Sequence, residues 1–332
     1  MTRAYLAFTE KGRSLAEKLA EQLPGSVTRC GHGGPSLADW TEQQFAHADA
    51  LIFVGAVGIA VRAIAPHCKS KATDPAVVVV DECGHFAVPI LSGHLGGAND
   101  LAREISALCG AVPVITTATD VHGVFAVDEW AKHQDCRVLE PERIKRVSGK
   151  ILTGSSVSYW SEFPISGSAP AGAIPAQAQD GSDFAVTLFP SGTALHLIPR
   201  IGVLGIGCKR GTSSEQLESA FAAFCSQHGL APESIVSAAS IDLKQNEAGL
   251  LEFCKKHNWN IPFFSAGQLR AVPGTFTPST FVQNVTGVDN VCERAAVLAS
   301  GGTLCIPKQA GGGVTFALAL RPYAPDWRWQ NG

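Results

Sequence analysis

Three loops in the first third of the chain place glycine beside groups able to hold anions or move protons. They are Gly55-Ala56-Val57-Gly58 followed by Arg62, Ser92-Gly93-His94-Leu95-Gly96-Gly97 followed by Asn99, and Thr116-Thr117-Ala118-Thr119-Asp120. Glycine lets a ligand approach the main chain, and a helix that begins just after such a loop offers free amides to an anion. In an open sheet these loops fall outside the carboxyl ends of the strands, where ligands bind. Candidate binding residues are therefore Gly55, Gly58, Arg62, Gly93, Gly96, Gly97, Asn99, Thr117 and Thr119. His94 stands between glycines with little bulk to shield it, so its pKa is expected near neutrality, as a general base or hydrogen-bond donor requires. Asp120 reads as a charged site group or as a cap for the helix carrying Val127 and Trp130. Each loop taken alone also has a plainer reading, in which glycine only makes a turn and the histidine bonds a carbonyl.

A second set lies in the last third. Gly205-Ile206-Gly207-Cys208-Lys209-Arg210-Gly211 joins a strand to a helix, but its G-x-G-x-x-x-G spacing is not the dinucleotide fingerprint, and no lysine follows Gly211 as a phosphate loop requires. What remains is an anion site at Gly205 and Gly207 with Lys209 and Arg210 beside it, suited to carboxylates. The alternative is a solvated cation pair. Asp242, Lys244 and Glu247 fall within six residues ahead of a helix, as acid-base groups or as an ordinary capping and surface pair. No G-x-S-x-G elbow occurs, which counts against a nucleophilic serine hydrolase.

These residues need elements to position them. The first ~130 residues alternate short β-rich runs with helical patterns, which predicts a doubly wound α/β domain with a parallel sheet. Strands are expected at 4–8, 50–54, 77–80 and 112–115, with helices at 13–22, 59–65 and 98–108. In the last helix Leu101, Ile105, Leu108 and Cys109 form a buried stripe, with Arg103 and Glu104 pointing elsewhere. A basic segment and a Gly/Pro/Ala/Ser-rich loop then mark a small middle module, with strands at 157–160, 184–188 and 194–198 and a Pro190-Ser191-Gly192 turn between the last two. A separate C-terminal α/β domain opens with a Thr212-x-x-Glu215 capping box. The expected boundaries are 1–134, 135–199 and 200–321.

With 332 residues, a formal net charge of -3 and 17% charged residues, the chain carries no basic footprint for nucleic acid. Its longest apolar run, 50–61, falls short of a membrane span, and no signal core follows Met1, so a cytoplasmic location is expected. The ten cysteines are scattered singly, which suits reduced, mostly buried thiols and not a zinc site.

Read as whole strings, these segments resemble the cobalt-precorrin 5A hydrolase family along nearly the full chain. The resemblance rests on Gly55-Ala-Val-Gly-Ile-Ala-Val-Arg62, Asp74-Pro-Ala-Val-Val-Val-Val-Asp-Glu82, Leu91-Ser-Gly-His-Leu-Gly-Gly-Ala-Asn99 and Pro113-Val-Ile-Thr-Thr-Ala-Thr-Asp120. In the last domain it rests on Gly205-Ile-Gly-Cys-Lys-Arg-Gly211, Ala239-Ser-Ile-Asp-Leu-Lys244 with Glu247, and Gly287-Val-Asp-Asn-Val-Cys-Glu-Arg294. It implies a cobalt-containing tetrapyrrole substrate with many carboxylates and a ring A δ-lactone, opened in anaerobic cobalamin (vitamin B12) biosynthesis with loss of acetaldehyde. The cobalt arrives in the substrate, so no cofactor or metal of the protein's own is expected. Neighbouring pathway enzymes are the other expected partners. Arg62, Lys69, Lys71, Lys209, Arg210 and Lys244 then supply cations for the carboxylates.

On this reading His94 is the base for water, the Gly96-Gly97 amides hold the oxyanion, and Asp120, Glu247 or Lys244 supplies the acid. A macrocycle of that width outgrows one strand-end crevice, so both glycine-rich domains are expected to be needed. The competing readings are a non-catalytic corrinoid-binding protein, which releases no acetaldehyde, and a nucleotide-dependent transferase, which nucleotide stabilises against heat.

Overall fold

The computed structural model describes residues 1–31, 33–70 and 73–328, which divide into two compact units. The first takes in Met1–His133 and Pro141–Ser155; the second takes in Gln134–Glu140 and Ser156–Trp327.

In chain order the first unit runs β1 (Arg3–Ala7), α1 (Glu10–Gln22), β2 (Ser26–Arg29), α2 (Leu37–His47), β3 (Ala50–Val54), α3 (Val57–Ile64), β4 (Ala76–Val80) and β5 (Phe86–Leu91). It continues with α4 (Ala98–Cys109), β6 (Val112–Pro113), α5 (Ala118–His122), α6 (Val127–His133) and α7 (Ile144–Leu152). The sheet order is β2-β1-β3-β4-β5-β6. Alternation along the strands sorts the two faces. Tyr5, Ile52 and Val78 pack with Ala16, Leu19, Leu101 and Ile105 of α1 and α4. Leu6, Phe53 and Val79 pack with Trp40, Ala60 and Ile64 of α2 and α3. Helices on both faces make the unit doubly wound.

The sheet is mixed, because β5 runs antiparallel to β4, with Val79 opposite Val88. The cause is the short link between them. Asp81 accepts hydrogen bonds from the amides of Cys83, His85 and Phe86 and closes a tight turn, too short for the crossover that a parallel partner needs. In α4, Leu101 and Ile105 are buried as expected, but Leu108 is 44% exposed and not part of the stripe.

The second unit contains two sheets. One has the order β7-β11-β10-β8-β9, from β7 (Cys136–Val138), β8 (Val157–Ser161), β9 (Ala173–Pro175), β10 (Phe184–Val186) and β11 (Leu195–Pro199). Here β10 and β11 are parallel, so Pro190-Ser191-Gly192 belongs to a crossover and not to a hairpin turn. The other has the order β14-β13-β12-β16-β15. Its elements are β12 (Gly202–Cys208), α8 (Ser214–His228), β13 (Ile235–Ile241), α9 (Ala248–Lys256), β14 (Phe263–Phe264), α10 (Ala266–Ala271), α11 (Thr280–Thr286), α12 (Cys292–Ser300), β15 (Thr303–Gly311) and β16 (Val314–Leu320). Leu217, Phe221, Leu250 and Phe253 of α8 and α9 cover one face with Leu204 and Phe316; Leu269, Val291 and Ala295 cover the other with Val203 and Ala239. The capping box of α8 is Ser213 with Gln216, one residue later than the expected Thr212 and Glu215. Among the described residues no helix is long and apolar enough to cross a membrane.

Candidate active site

The loop from β5 into α4 folds back over the start of the helix. The Gly97 amide donates to the His94 carbonyl at 3.0 Å, Ala98 N–H to Ser92 O at 3.1 Å, and Asn99 N–H to Gly93 O at 3.0 Å. Ser92 and Gly97 both take positive φ, 55° and 86°. A Cβ at Gly96 would lie 2.3 Å from the Ser92 Cβ, and one at Gly93 would lie 2.8 Å from Asn99 Oδ1. These glycines therefore let the loop close on itself. The expected oxyanion role fails for Gly97, because its amide already serves the His94 carbonyl.

The closed loop brings His94 against two carboxylates. Its Nε2 lies 2.8 Å from Asp120 Oδ2 and 3.4 Å from Thr119 Oγ1, and its Nδ1 lies 3.3 Å from the Asp128 carboxylate. Asn99 Nδ2 donates to Asp120 Oδ2 at 3.1 Å and to Thr117 Oγ1 at 3.0 Å, and the Thr117 hydroxyl bonds Asp120 as well. Thus His94 and Asn99 from the start of α4 and the loop before it, and Thr117, Thr119 and Asp120 from the start of α5, meet in one network. Asp120 sits in α5 itself, so it is no cap for the helix carrying Trp130.

Five further participants were not foreseen. Arg103, expected to point away, ion-pairs with Asp120, with Asp100 at 3.1 Å and with Glu129 at 3.4 Å. Lys132 reaches Asp100 at 2.7 Å. Asp128 and Glu129 come from the first turn of α6, where acidic residues are ordinary dipole partners, so nothing local marks them as site groups.

The electrostatics follow from burial and pairing. Burial opposes charge on His94, but the hydrogen bonds and charges of Asp120 and Asp128 outweigh it and push the imidazole pKa up to about 10. Burial likewise acts to raise Asp120, yet His94, Thr117 and Arg103 hold it well below the usual carboxylate range. Glu129 goes the other way: burial, then the charge of Asp120, raise it to about 7. Its Oε2 is buried with no hydrogen-bond partner among the described residues. At neutral pH this favours the imidazolium, whereas the expected base role needs the neutral ring. Asp120, held ionised, is a poor proton donor.

His94, Asp120 and Glu129 place ligand atoms within 4.8 Å of one another, as do Asp100, Glu129 and His133. A metal could be spaced this way. The balancing positive charge, however, already comes from Arg103, Lys132 and the imidazolium.

The remaining sequence candidates lie elsewhere. Gly55 must be glycine because a Cβ would lie 2.8 Å from the Phe8 ring, whereas Gly58 faces open space in the first turn of α3. Arg62 and Lys69 are exposed and take no part in the His94 network; Lys71 lies outside the described residues. Gly205 is buried, and its Cβ would lie 1.8 Å from the Cys292 carbonyl, so it admits α12 and not a ligand. A Cβ on Gly207 would collide with Thr315.

In the second unit Gly207, Lys209, Arg210 and Lys244 border a cleft of about 690 Å³ that Phe281, Val285 and Lys308 also line. Glu247 stands beside it, accepting from Lys244 Nζ at 3.0 Å and from the Gly211 amide at 2.9 Å. The amide, then the lysine, lower its pKa, so Glu247 is unsuited to the acid role expected of it. The motif ending in Arg294 is structural in this fold. Buried Glu293 accepts from the Thr277 and Lys308 amides at 2.7 Å each, and Arg294 pairs with Asp289 at 2.9 Å.

Two family models match the chain. One, described as "Cobalamin synthesis G N-terminal", covers residues 39–120, the stretch from α2 to Asp120. The other, "Cobalamin synthesis G C-terminus", covers residues 202–319. "Cobalt-precorrin-5A hydrolase" of Priestia megaterium is 33% identical over 297 residues, covering 82% of this chain and 79% of that protein. The protein of the same name from Salmonella typhimurium is 33% identical over 344 residues, covering 96% and 97%. "Protein CobE" of Sinorhizobium sp is 30% identical over 120 residues, 35% of this chain and 78% of that protein. With both family models matched and that identity sustained over nearly its whole length, the chain belongs to the cobalt-precorrin-5A hydrolase family.

Proposed function

We propose that the protein hydrolyses the ring A δ-lactone of cobalt-precorrin 5A and releases acetaldehyde, giving cobalt-precorrin 5B. The observation that carries this reading is the His94 network, a half-buried imidazolium between two carboxylates, of which His94 and Asp120 lie inside the segment matched by the N-terminal family model. Such an imidazolium delivers and recovers a proton at one fixed place.

The chemistry divides into two steps. Water adds to the lactone carbonyl and the acyl-oxygen bond breaks, which frees the acetate arm and leaves a hydroxyl on the adjoining carbon. That hydroxyl then becomes a carbonyl as the bond to the macrocycle breaks, and acetaldehyde departs. The macrocycle carbon takes a proton from His94, and the hydroxyl proton returns to the imidazole, so the group ends as it began. Asp120, anchored by Arg103, Thr117 and Asn99, keeps Nε2 oriented and the imidazole charged. No protein-bound metal or cofactor enters these steps; the cobalt is part of the substrate.

The test is to incubate purified protein with cobalt-precorrin 5A in ¹⁸O water and to trap the volatile product. One equivalent of acetaldehyde, with the label in the new carboxylate, is expected. Stoichiometric binding of the tetrapyrrole without acetaldehyde would instead establish the non-catalytic carrier. The pH profile separates roles for His94: an acid with pKa near 10 keeps its rate through neutrality and loses it above that value, whereas a base gains rate as pH approaches it.

A further inference from the structure

We infer that the cleft of the second unit binds a flat, apolar ring bearing several carboxylates, using residues of that unit alone. Four cations line it, Lys209, Arg210, Lys244 and Lys308, and no aspartate or glutamate does. In a chain of net charge -3, a hollow with four positive side chains, of which Lys244 is paired with Glu247 beside it, remains net positive and is a local reversal of the protein's charge. Such a reversal focuses the field on anions.

The walls say which anions. Phe281 and Val285, four residues apart in α11, both line the cleft and are 73% and 62% exposed. Leaving large apolar side chains in water is unfavourable, and covering these two requires an apolar face. A phosphate or nucleotide phosphate tail has none. Nor is there a phosphate cradle, since Gly205 is filled by the Cys292 carbonyl and Gly207 abuts Thr315. The volume of about 690 Å³ falls within the ~300–1,000 Å³ of small-molecule sites. An apolar ring lying against α11, with its carboxylates reaching the four cations, satisfies both features.

The cations are partly fixed in advance. Lys244 Nζ is held by Glu247 at 3.0 Å. The Lys209 stem lies over Gly313, where an added Cβ would come within 2.9 Å of its Cδ. Gly312 and Gly313 take positive φ, 59° and 84°, in the turn joining β15 to β16 at the cleft.

That the ring is a cyclic tetrapyrrole rests on the function proposed above; the location and the ring-with-carboxylates chemistry rest on the cleft. The full-length protein is titrated with cobyrinic acid, a corrinoid heptacarboxylate without the lactone, and with its uncharged heptamethyl ester. Saturable binding of the acid is expected, with affinity at least about 10-fold above the ester and falling at least about 10-fold in Lys308→Gln and in Phe281→Ala. Phe281 is exposed, and the Lys308 contact to Glu293 is made by its backbone amide, which Lys308→Gln keeps. No binding of the acid at about 1 mM, equal binding of the ester, or unchanged affinity in both variants overturns the inference. If the acid binds through these residues yet the protein releases no acetaldehyde from cobalt-precorrin 5A, the binding site stands and the proposed reaction falls.

Discussion

The two charged regions of this protein solve opposite problems. Around His94, the carboxylates of Asp100, Asp120, Asp128 and Glu129 face Arg103, Lys132 and the imidazolium, most of them largely withdrawn from water. In the cleft, four cations stand among apolar side chains with no carboxylate among the lining residues, and Glu247, beside the cleft, pairs with Lys244. Charge balanced within the protein fixes protonation states and geometry, because each buried group needs its partner. Charge left unbalanced at an open surface awaits a ligand. On the function and the inference proposed above, proton transfer belongs to the first region and recognition of anions to the second.

His94→Gln breaks the comparison most sharply. Glutamine keeps hydrogen-bonding capacity near Asp120 and Asp128 but carries no titrating proton, so kcat for acetaldehyde release should fall by about 100-fold or more, in the range for lost acid-base catalysis. KM should change little. A rate within a few-fold of wild type would remove His94 from the reaction.

The pH dependence of stability comes next in size. The folded pKa of His94 lies above its free value, so its stabilisation is complete below about 6.5 and is lost as pH rises through about 10. Glu129 has a raised carboxyl pKa, and the cost of ionising it grows from about 4.5 until pH passes about 7. Asp120, depressed, withdraws its contribution only in acid, as it is protonated below its ordinary range. Urea midpoints should accordingly decline between pH 5 and 10. Glu129→Gln should flatten the part below pH 8, recovering on the order of 2 kcal/mol at neutrality; an unchanged slope would show that Glu129 is ionised at no cost.

Salt distinguishes the regions more gently. Raising it from about 50 to about 500 mM shortens the screening length severalfold and should weaken substrate binding by about 10-fold through the cleft cations, while the half-buried His94 network keeps kcat nearly constant. A salt-sensitive kcat with constant KM would reverse the assignment. The smallest effect is expected from chelators, which should leave turnover unchanged if side chains alone balance the carboxylates; loss of activity restored by a divalent cation would show that a metal takes part in balancing them.

Legibility in the sequence tracked local chain constraint. His94, Asn99, Thr117, Thr119 and Asp120 were visible because each lies in or beside a glycine-rich or polar loop at a strand end, where the fold collects such loops. Arg103, Asp128 and Glu129 were not, because on helices a charged residue off the apolar stripe looks solvent-facing until a neighbouring helix is placed against it. Lys308 and Phe281 were likewise hidden, one inside β15 and the other in a polar segment without a marked motif. Gly205 shows the converse: its setting suggested ligand approach, and the neighbour is the carbonyl of Cys292.

By itself, the sequence determined the alternation of strands and helices, the doubly wound character of the first unit and the resemblance to one family, because apolar periodicity and contiguous motif strings are local properties of the chain. Only the tertiary structure decided that β5 runs antiparallel, that the Gly97 amide is occupied, that two carboxylates flank His94 and raise its pKa, and that four cations gather around an apolar cleft. Protonation and charge balance depend on which groups, distant in sequence, come within a few ångströms, and folding alone sets that.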